Sequence, residues 1–209
     1  MKFICNYIVS FLLVLLLSEC KHKKDNAVIA KKHNLASNAT VIDIQPFNDI
    51  ANDDIVFAYN QLKLVYPYIN IKKAISLPKW AYYEERNRYR ADSLIRFLSK
   101  ICENGHVVIG LTSKDISTNK DKIKDWGVMG LGYCPGNACI ASTFRLSKEN
   151  KKSQFYKVAV HELGHTQGLP HCANKTCFMQ DAEGGNTTNN EKDFCNHCKQ
   201  LLTLKGWKF

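Results

Sequence analysis

The chain has no internal repeat, which excludes solenoid and propeller architectures. It has no apolar run long enough to span a membrane comfortably. The stretch at residues 3–17 falls short of the roughly 20 residues a spanning helix needs. Acidic side chains are in deficit, 19 Asp and Glu against 29 Lys and Arg, for a net charge of +10. Such a balance can steer a protein toward nucleic acid, anionic lipid or acidic peptide. No nucleic-acid motif accompanies the lysines, which are scattered in small clusters. A solvated basic surface is therefore the simpler reading, and no nucleic-acid partner is expected. With 209 residues, 45% of them hydrophobic, the chain can bury one sizeable core.

What is present is concentrated in one segment, His161-Glu162-Leu163-Gly164-His165-Thr166-Gln167-Gly168-Leu169-Pro170-His171. Histidines four apart on a helix lie on one face, so His161 and His165 can bind the same ion. Gly168 can break that helix by entering positive φ without steric cost, and the returning chain can bring in His171 as third ligand. A fourth position is then open to water, the mark of catalytic rather than structural zinc. Glu162, beside the first ligand, can reach that water as general base without ligating the metal. A bare pair of histidines four apart would equally fit a surface helix; the glycine and the third histidine make that reading poor.

Four cysteines follow: Cys172, Cys177, Cys195 and Cys198. Two pairs, one of them C-x-x-C, suit a closed tetrahedral thiolate zinc site that would pin the segment after His171 to a C-terminal helix. Two alternatives stand beside it: a pair of disulfides, favoured in an oxidising compartment, and a site in which His197 replaces one cysteine. Met179 is either an ordinary core residue or a methionine turn, an apolar floor beneath the metal.

These residues together resemble the archaemetzincin (archaelysin) signature. The likeness extends upstream to Val107-Val108-Ile109-Gly110-Leu111-Thr112 with Asp115, to Trp126-Gly127-Val128-Met129-Gly130-Leu131-Gly132, to Ile140-Ala141-Ser142-Thr143-Phe144-Arg145-Leu146, and to Arg88-Tyr89-Arg90-Ala91 as the start of a backing helix. The resemblance implies a mixed α/β (α+β) zincin with a twisted mixed sheet, a backing helix, an active-site helix and a short C-terminal subdomain stapled by four cysteines. It implies two zinc ions, one catalytic and one structural, and a peptide or protein substrate. Three features depart from the pattern: a shorter interval between Met179 and Cys195, an extra pair Cys134/Cys139, and an export-like N-terminus. Cys134 and Cys139 are close enough to form a local disulfide across a Pro-Gly turn, or else stand as two free thiols.

Met1-Lys2 followed by the apolar stretch has the form of a secretory signal. Cys20, preceded by Leu17-Ser18-Glu19, resembles a lipoprotein cleavage site, although Glu19 stands where small residues are usual. The expected organisation is a signal over residues 1–20, a flexible basic tether over 21–39 and a catalytic domain over 40–209. An exported, lipid-anchored monomer of a bacterial envelope follows from that reading. Cys5 would be removed with the signal, and Cys102 reads as core at a helix end.

Apolar spacing predicts strands near 40–44, 66–75, 106–111, 126–132 and 139–146, with helices at about 51–65, 91–101, through the histidine motif, and at 193–204. The stretch 140–146 is expected at the sheet edge, where it could hold an extended peptide by strand addition. No second acid or oxyanion donor is evident; Tyr66, Tyr68, Tyr82 and Tyr83 qualify by residue type alone. The function expected is a zinc metallopeptidase with Glu162 as general base. The alternatives are a zinc module without turnover and, less favoured, a basic zinc protein for nucleic acid.

Overall fold

The period-two alternation of strand residues decides the layering. In β1 (Val41–Pro46), Ile42 and Ile44 point to one face of a sheet; in β5 (His106–Thr112), Val107, Ile109 and Leu111 do the same. The opposite face takes Val108, with Ile140 from β9 (Ala138–Ser142). Each face is covered by helices whose apolar residues fall at helical spacing. The computed structural model describes residues 40–209, so the predicted signal, Cys20 and the tether lie outside the described residues.

On the first face sit α1 (Asn52–Val65), through Ile55, Ala58 and Leu62, and α3 (Lys151–Thr166), through Phe155, Val158, Ala159 and Leu163. On the second lies α2 (Ala91–Ile101), through Ala91, Leu94, Ile95 and Leu98. The main sheet has the order β2-β1-β5-β9-β8, with β2 (Ile69–Ile71) at one edge and β8 (Gly130–Gly132) at the other. All its pairs are parallel except β8 with β9. A second sheet joins β3 (Tyr82–Tyr83), β4 (Arg88–Arg90), β6 (Ile116–Lys120) and β7 (Ile123–Val128) in the order β3-β4-β6-β7. This is the mixed α/β arrangement expected.

Four elements differ from expectation. The segment 66–75 yields only the three residues of β2; Tyr66 ends α1 with an extended backbone and packs its buried ring on Trp207 rather than joining the sheet. Residues 126–132 form parts of two strands: β7 pairs with β6 in the small sheet and β8 with β9 in the large one, with Met129 between them. Arg88–Arg90 is a strand, and the backing helix starts at Ala91. The stretch 140–146 is not an edge strand: its strand ends at Ser142 and lies between β5 and β8.

Chain length after the histidine motif is held by more than cysteines. Phe178, Met179, Phe194, Leu202 and Trp207 are all buried. Trp207 packs on Tyr66 at 5.2 Å and on Phe194 at 6.1 Å between ring centroids, tying the C-terminus to the end of α1. A short helix, α4 (Asn196–Thr203), carries Cys198 and Leu202 inward.

Candidate active site

The end of α3 is built by its own backbone. Gly168 takes φ of +92°, the left-handed conformation that ends a helix. Its N–H donates to the His165 carbonyl at 2.8 Å, and the Leu169 N–H donates to the Gly164 carbonyl at 3.1 Å. This pair of bonds is a Schellman cap. The cap aims the Leu169 carbonyl back at the helix, where it accepts the Nδ1 proton of His165 at 2.8 Å. One turn earlier, His161 donates its Nδ1 proton to the Phe178 carbonyl at 2.6 Å. With both Nδ1 atoms protonated, both Nε2 atoms carry bare lone pairs.

Those two Nε2 atoms stand 3.0 Å apart. Two lone pairs facing each other at that distance repel unless a cation lies between them. His171 completes the group, each histidine offering a ring nitrogen within 4.8 Å of the others. Its ring centroid is 5.4 Å from that of His161 and 4.9 Å from that of His165. Burial, and then the neighbouring His165, push the pKa of His161 down to about 3; burial lowers that of His165 as well. His161 and His165 are therefore neutral at ordinary pH, the form that binds metal. This donor set, three imidazole nitrogens converging on one point, fits zinc.

Glu162 lies at the same cleft, 7% exposed. Burial pushes its carboxyl up to about 8. It packs directly over β8. A Cβ placed on Gly130 would stand 2.5 Å from its Oε1, and one on Gly132 would stand 2.8 Å from its backbone carbonyl. Only glycine admits so close an approach, a constraint with no signature in the sequence beyond the glycines themselves. Gly130→Ala is expected to keep the metal but displace the carboxylate, lowering kcat about 10²-fold. Steady-state kinetics with zinc analysis checks this; unchanged kcat would show that the contact is dispensable.

Met179 is fully buried, and it lies against α3. Its Sδ would be 2.5 Å from a Cβ at Gly164, the residue just before His165. The cleft itself has a volume of about 670 Å³ and is bounded by β8, by the β6–β7 hairpin and by the loop after Met179. Arg145 in its wall is held by Asp115 through two bonds of 2.8 and 2.9 Å, and Arg88 reaches the same carboxylate at 3.1 Å. None of Tyr66, Tyr68, Tyr82 and Tyr83 lines the cleft.

The second cluster stands apart from the first. Cys172, Cys177, Cys195 and Cys198 bring their sulfurs within 4.8 Å of one another. Cys172–Cys195 at 3.7 Å and Cys177–Cys198 at 3.8 Å are far beyond a bonded S–S distance of about 2.05 Å, and all four cysteines are free, so the disulfide alternative is not realised. His197 is exposed and outside the cluster. Burial opposes ionisation of Cys195, but hydrogen bonds from the Cys198 backbone N–H and the neighbouring thiols bring it down to about 7. A tetrahedral thiolate set again fits zinc. Of the two readings of Cys134 and Cys139, the structure has the free thiols rather than the local disulfide. Cys139 points into the core from β9, fully buried, whereas the exposed Cys134 turns the other way and donates its S–H to the Leu169 carbonyl at 3.3 Å. Cys102, at the end of α2, donates to the His106 carbonyl.

The family model described as peptidase family M54 matches residues 44–204. The chain belongs to peptidase family M54. Among its relatives, the archaemetzincin of Haloquadratum walsbyi is 31% identical over 176 residues, covering 78% of this chain and 99% of the relative. The crystal structure of archaemetzincin from Methanopyrus kandleri superposes with a TM-score of 0.69 at 25% identity, covering 80% of this chain and 96% of that one. The crystal structure of archaemetzincin from Archaeoglobus fulgidus complexed with malonate gives 0.67 at 26% identity, covering 78% and 99%. This M54 chain is a zinc metallopeptidase, and its mixed α/β fold is that of the archaemetzincin structures.

Proposed function

We propose that this M54 peptidase cleaves extended peptides laid along β8, with Glu162 as general base, and that it works outside the cytosol, attached through its N-terminus. The observation that carries the catalytic part is the pair of Nε2 lone pairs facing each other at 3.0 Å beside a buried carboxylate on the same cleft. His161, His165 and His171 would hold the zinc, which would supply Lewis acidity to the scissile carbonyl and the attacking water. Glu162 handles the protons. An Oε takes one from the water as it attacks the carbonyl carbon, and the resulting acid returns it to the leaving amine. Burial keeps that carboxyl well above the usual range while a nearby dication pulls it down, a balance that suits a group that both takes and gives a proton.

Gly130–Gly132 pairs with β9 on one side only, and its other edge faces the cleft. A peptide added there as a further strand would pass its carbonyls by Glu162. The same proposal includes a second zinc at the four cysteines, whose sulfurs lie within 4.8 Å of one another, and a monomer as the working unit. A zinc module without turnover is disfavoured by Glu162 itself, because burying a carboxyl costs stability that a binding role has no use for.

The attachment rests on the sequence of residues 1–39 alone. Among the described residues, no helix is long and apolar enough to cross a membrane. Cys20→Ala is expected to move the protein from the membrane fraction to the soluble one, and retention in the membrane would contradict a lipid on Cys20. For the catalytic reading, the zinc-loaded protein is offered a peptide library. Cleavage that disappears on chelation and returns with zinc is expected; no cleavage with the histidine site filled would overturn it.

A further inference from the structure

The three histidines are not held alike. His161 and His165 lie on α3 with their Nδ1 protons on main-chain carbonyls that the fold fixes in place. His171 lies beyond the helix, and its side chain is 48% exposed. Its Nδ1 faces Asp181, with Oδ2 at 3.2 Å. Nothing in the histidine motif specifies that partner, which is ten residues downstream.

The backbone brings the two together. Cys172 forms a parallel bridge with Gln180, and its N–H donates to the Met179 carbonyl at 2.7 Å. The bridge holds the two segments against each other with His171 level with Met179, and the Asp181 side chain, one residue beyond the bridge, reaches the His171 ring. Asp181 is itself oriented, because its Oδ1 accepts the Glu183 N–H at 2.9 Å, which leaves Oδ2 for the imidazole. Glu183 reaches that position through a left-handed φ of 48°. Gly184 follows, packed so closely under Trp126 that a Cβ there would stand 2.5 Å from the indole.

We propose that Asp181 is the positioning residue of the third zinc ligand: its carboxylate accepts a hydrogen bond from the Nδ1–H of His171, which keeps the proton on Nδ1 and so turns a bare Nε2 toward His161 and His165. A carboxylate behind a ligating imidazole fixes its tautomer and orientation and makes the ring a better donor. The other two histidines need no such help. His171, half in solvent, would otherwise exchange its Nδ1 partner for water and sample the tautomer that cannot bind. The contribution belongs to metal affinity and hence to turnover, not to folding, since an exposed charged pair adds little stability.

This inference rests on the zinc reading of the histidine site but not on peptide cleavage. The test measures zinc affinity of the full protein by competition with a chromophoric chelator, for wild type, Asp181→Ala and Asp181→Glu. Asp181→Ala is expected to weaken the histidine site about 10- to 100-fold. It should leave the cysteine-site zinc in place and the melting temperature near that of wild type. Asp181→Glu, which keeps a carboxylate on a longer arm, should recover part of the loss. In proton NMR of the zinc-loaded protein, the His171 Nδ1–H resonance should exchange slowly in wild type and fast in Asp181→Ala. Zinc affinity within about twofold of wild type, or an unchanged exchange rate, would overturn the proposal. If Asp181→Ala weakens zinc as expected while wild type cleaves no peptide, the assignment of Asp181 stands and the peptidase reading falls.

Discussion

Glu162→Gln keeps its zinc and its fold and loses about 10²–10⁴ in kcat/KM, the usual contribution of a positioned acid–base group. At 1.36 kcal/mol per decade, that is about 3–5 kcal/mol of transition-state stabilisation. The expectation follows from geometry. Gln has the shape of Glu, so its packing over Gly130 and Gly132 is preserved, and no ligand to the metal is touched. The loss should appear in kcat, with KM little changed, because the proton is moved only in the reaction. The same variant should alter stability when the histidine site carries no metal. The folded-state pKa of Glu162 is raised to about 8 by burial. A carboxyl raised in the folded state favours folding below its unfolded pKa, and that advantage is lost as pH rises through about 8. Without metal, wild type should therefore weaken relative to Glu162→Gln as pH climbs from about 4.5 to 8. Parent-rate hydrolysis by Glu162→Gln would remove Glu162 as the base.

Cys177→Ser should empty the cysteine site and loosen everything beyond His171. Cys177 is the most enclosed sulfur of the four, 1% exposed, and its Sγ accepts the N–H groups of Met179 and Cys195 at 3.5 and 3.2 Å. Structural zinc in small thiolate sites is worth about 10–16 kcal/mol in isolated fingers, against a total stability of about 5–15 kcal/mol for an ordinary domain. Aromatic packing of Phe178, Phe194 and Trp207 offsets part of the loss. A remaining deficit of about 5 kcal/mol would lower the melting temperature by about 10–20 °C. The damage also reaches the catalytic site, because the Phe178 carbonyl that orients His161 belongs to the same segment. Expected results are one zinc lost per chain, a large drop in melting temperature and weakened binding at the histidines. A variant that keeps two zincs and melts like wild type would show that the sulfurs hold no ion.

The parts of this site readable in the sequence are those encoded at short range. His161, Glu162 and His165 are fixed relative to one another by one helix, and Gly168 announces its end. The amphipathic helices Asn52–Val65 and Ala91–Ile101 and the strand His106–Thr112 were legible for the same reason. What was not legible depends on contacts distant in sequence. An apolar run such as 126–132 does not say which sheet each half joins, and the chain changes sheets at Met129. The edge position of Gly130–Gly132, rather than 140–146, follows from strand order, which no local pattern reports. Cys134 and Cys139, near neighbours in sequence, part because one faces a sheet interior and the other a loop. Asp181 sits in no motif, and Trp207 gives no sign of plugging the end of α1 until the C-terminus has folded back onto Tyr66.

The proposed site has three imidazoles gripping one zinc while Glu162 stands beside it without ligating. Anomalous diffraction at the zinc edge on crystals of the zinc-loaded protein tests this most directly. A peak is expected about 2.0–2.1 Å from a ring nitrogen of each of His161, His165 and His171, with no protein atom in the fourth position and the Glu162 carboxylate off the metal. A histidine site without a peak, or a peak with Glu162 or another side chain in the fourth position, would contradict it.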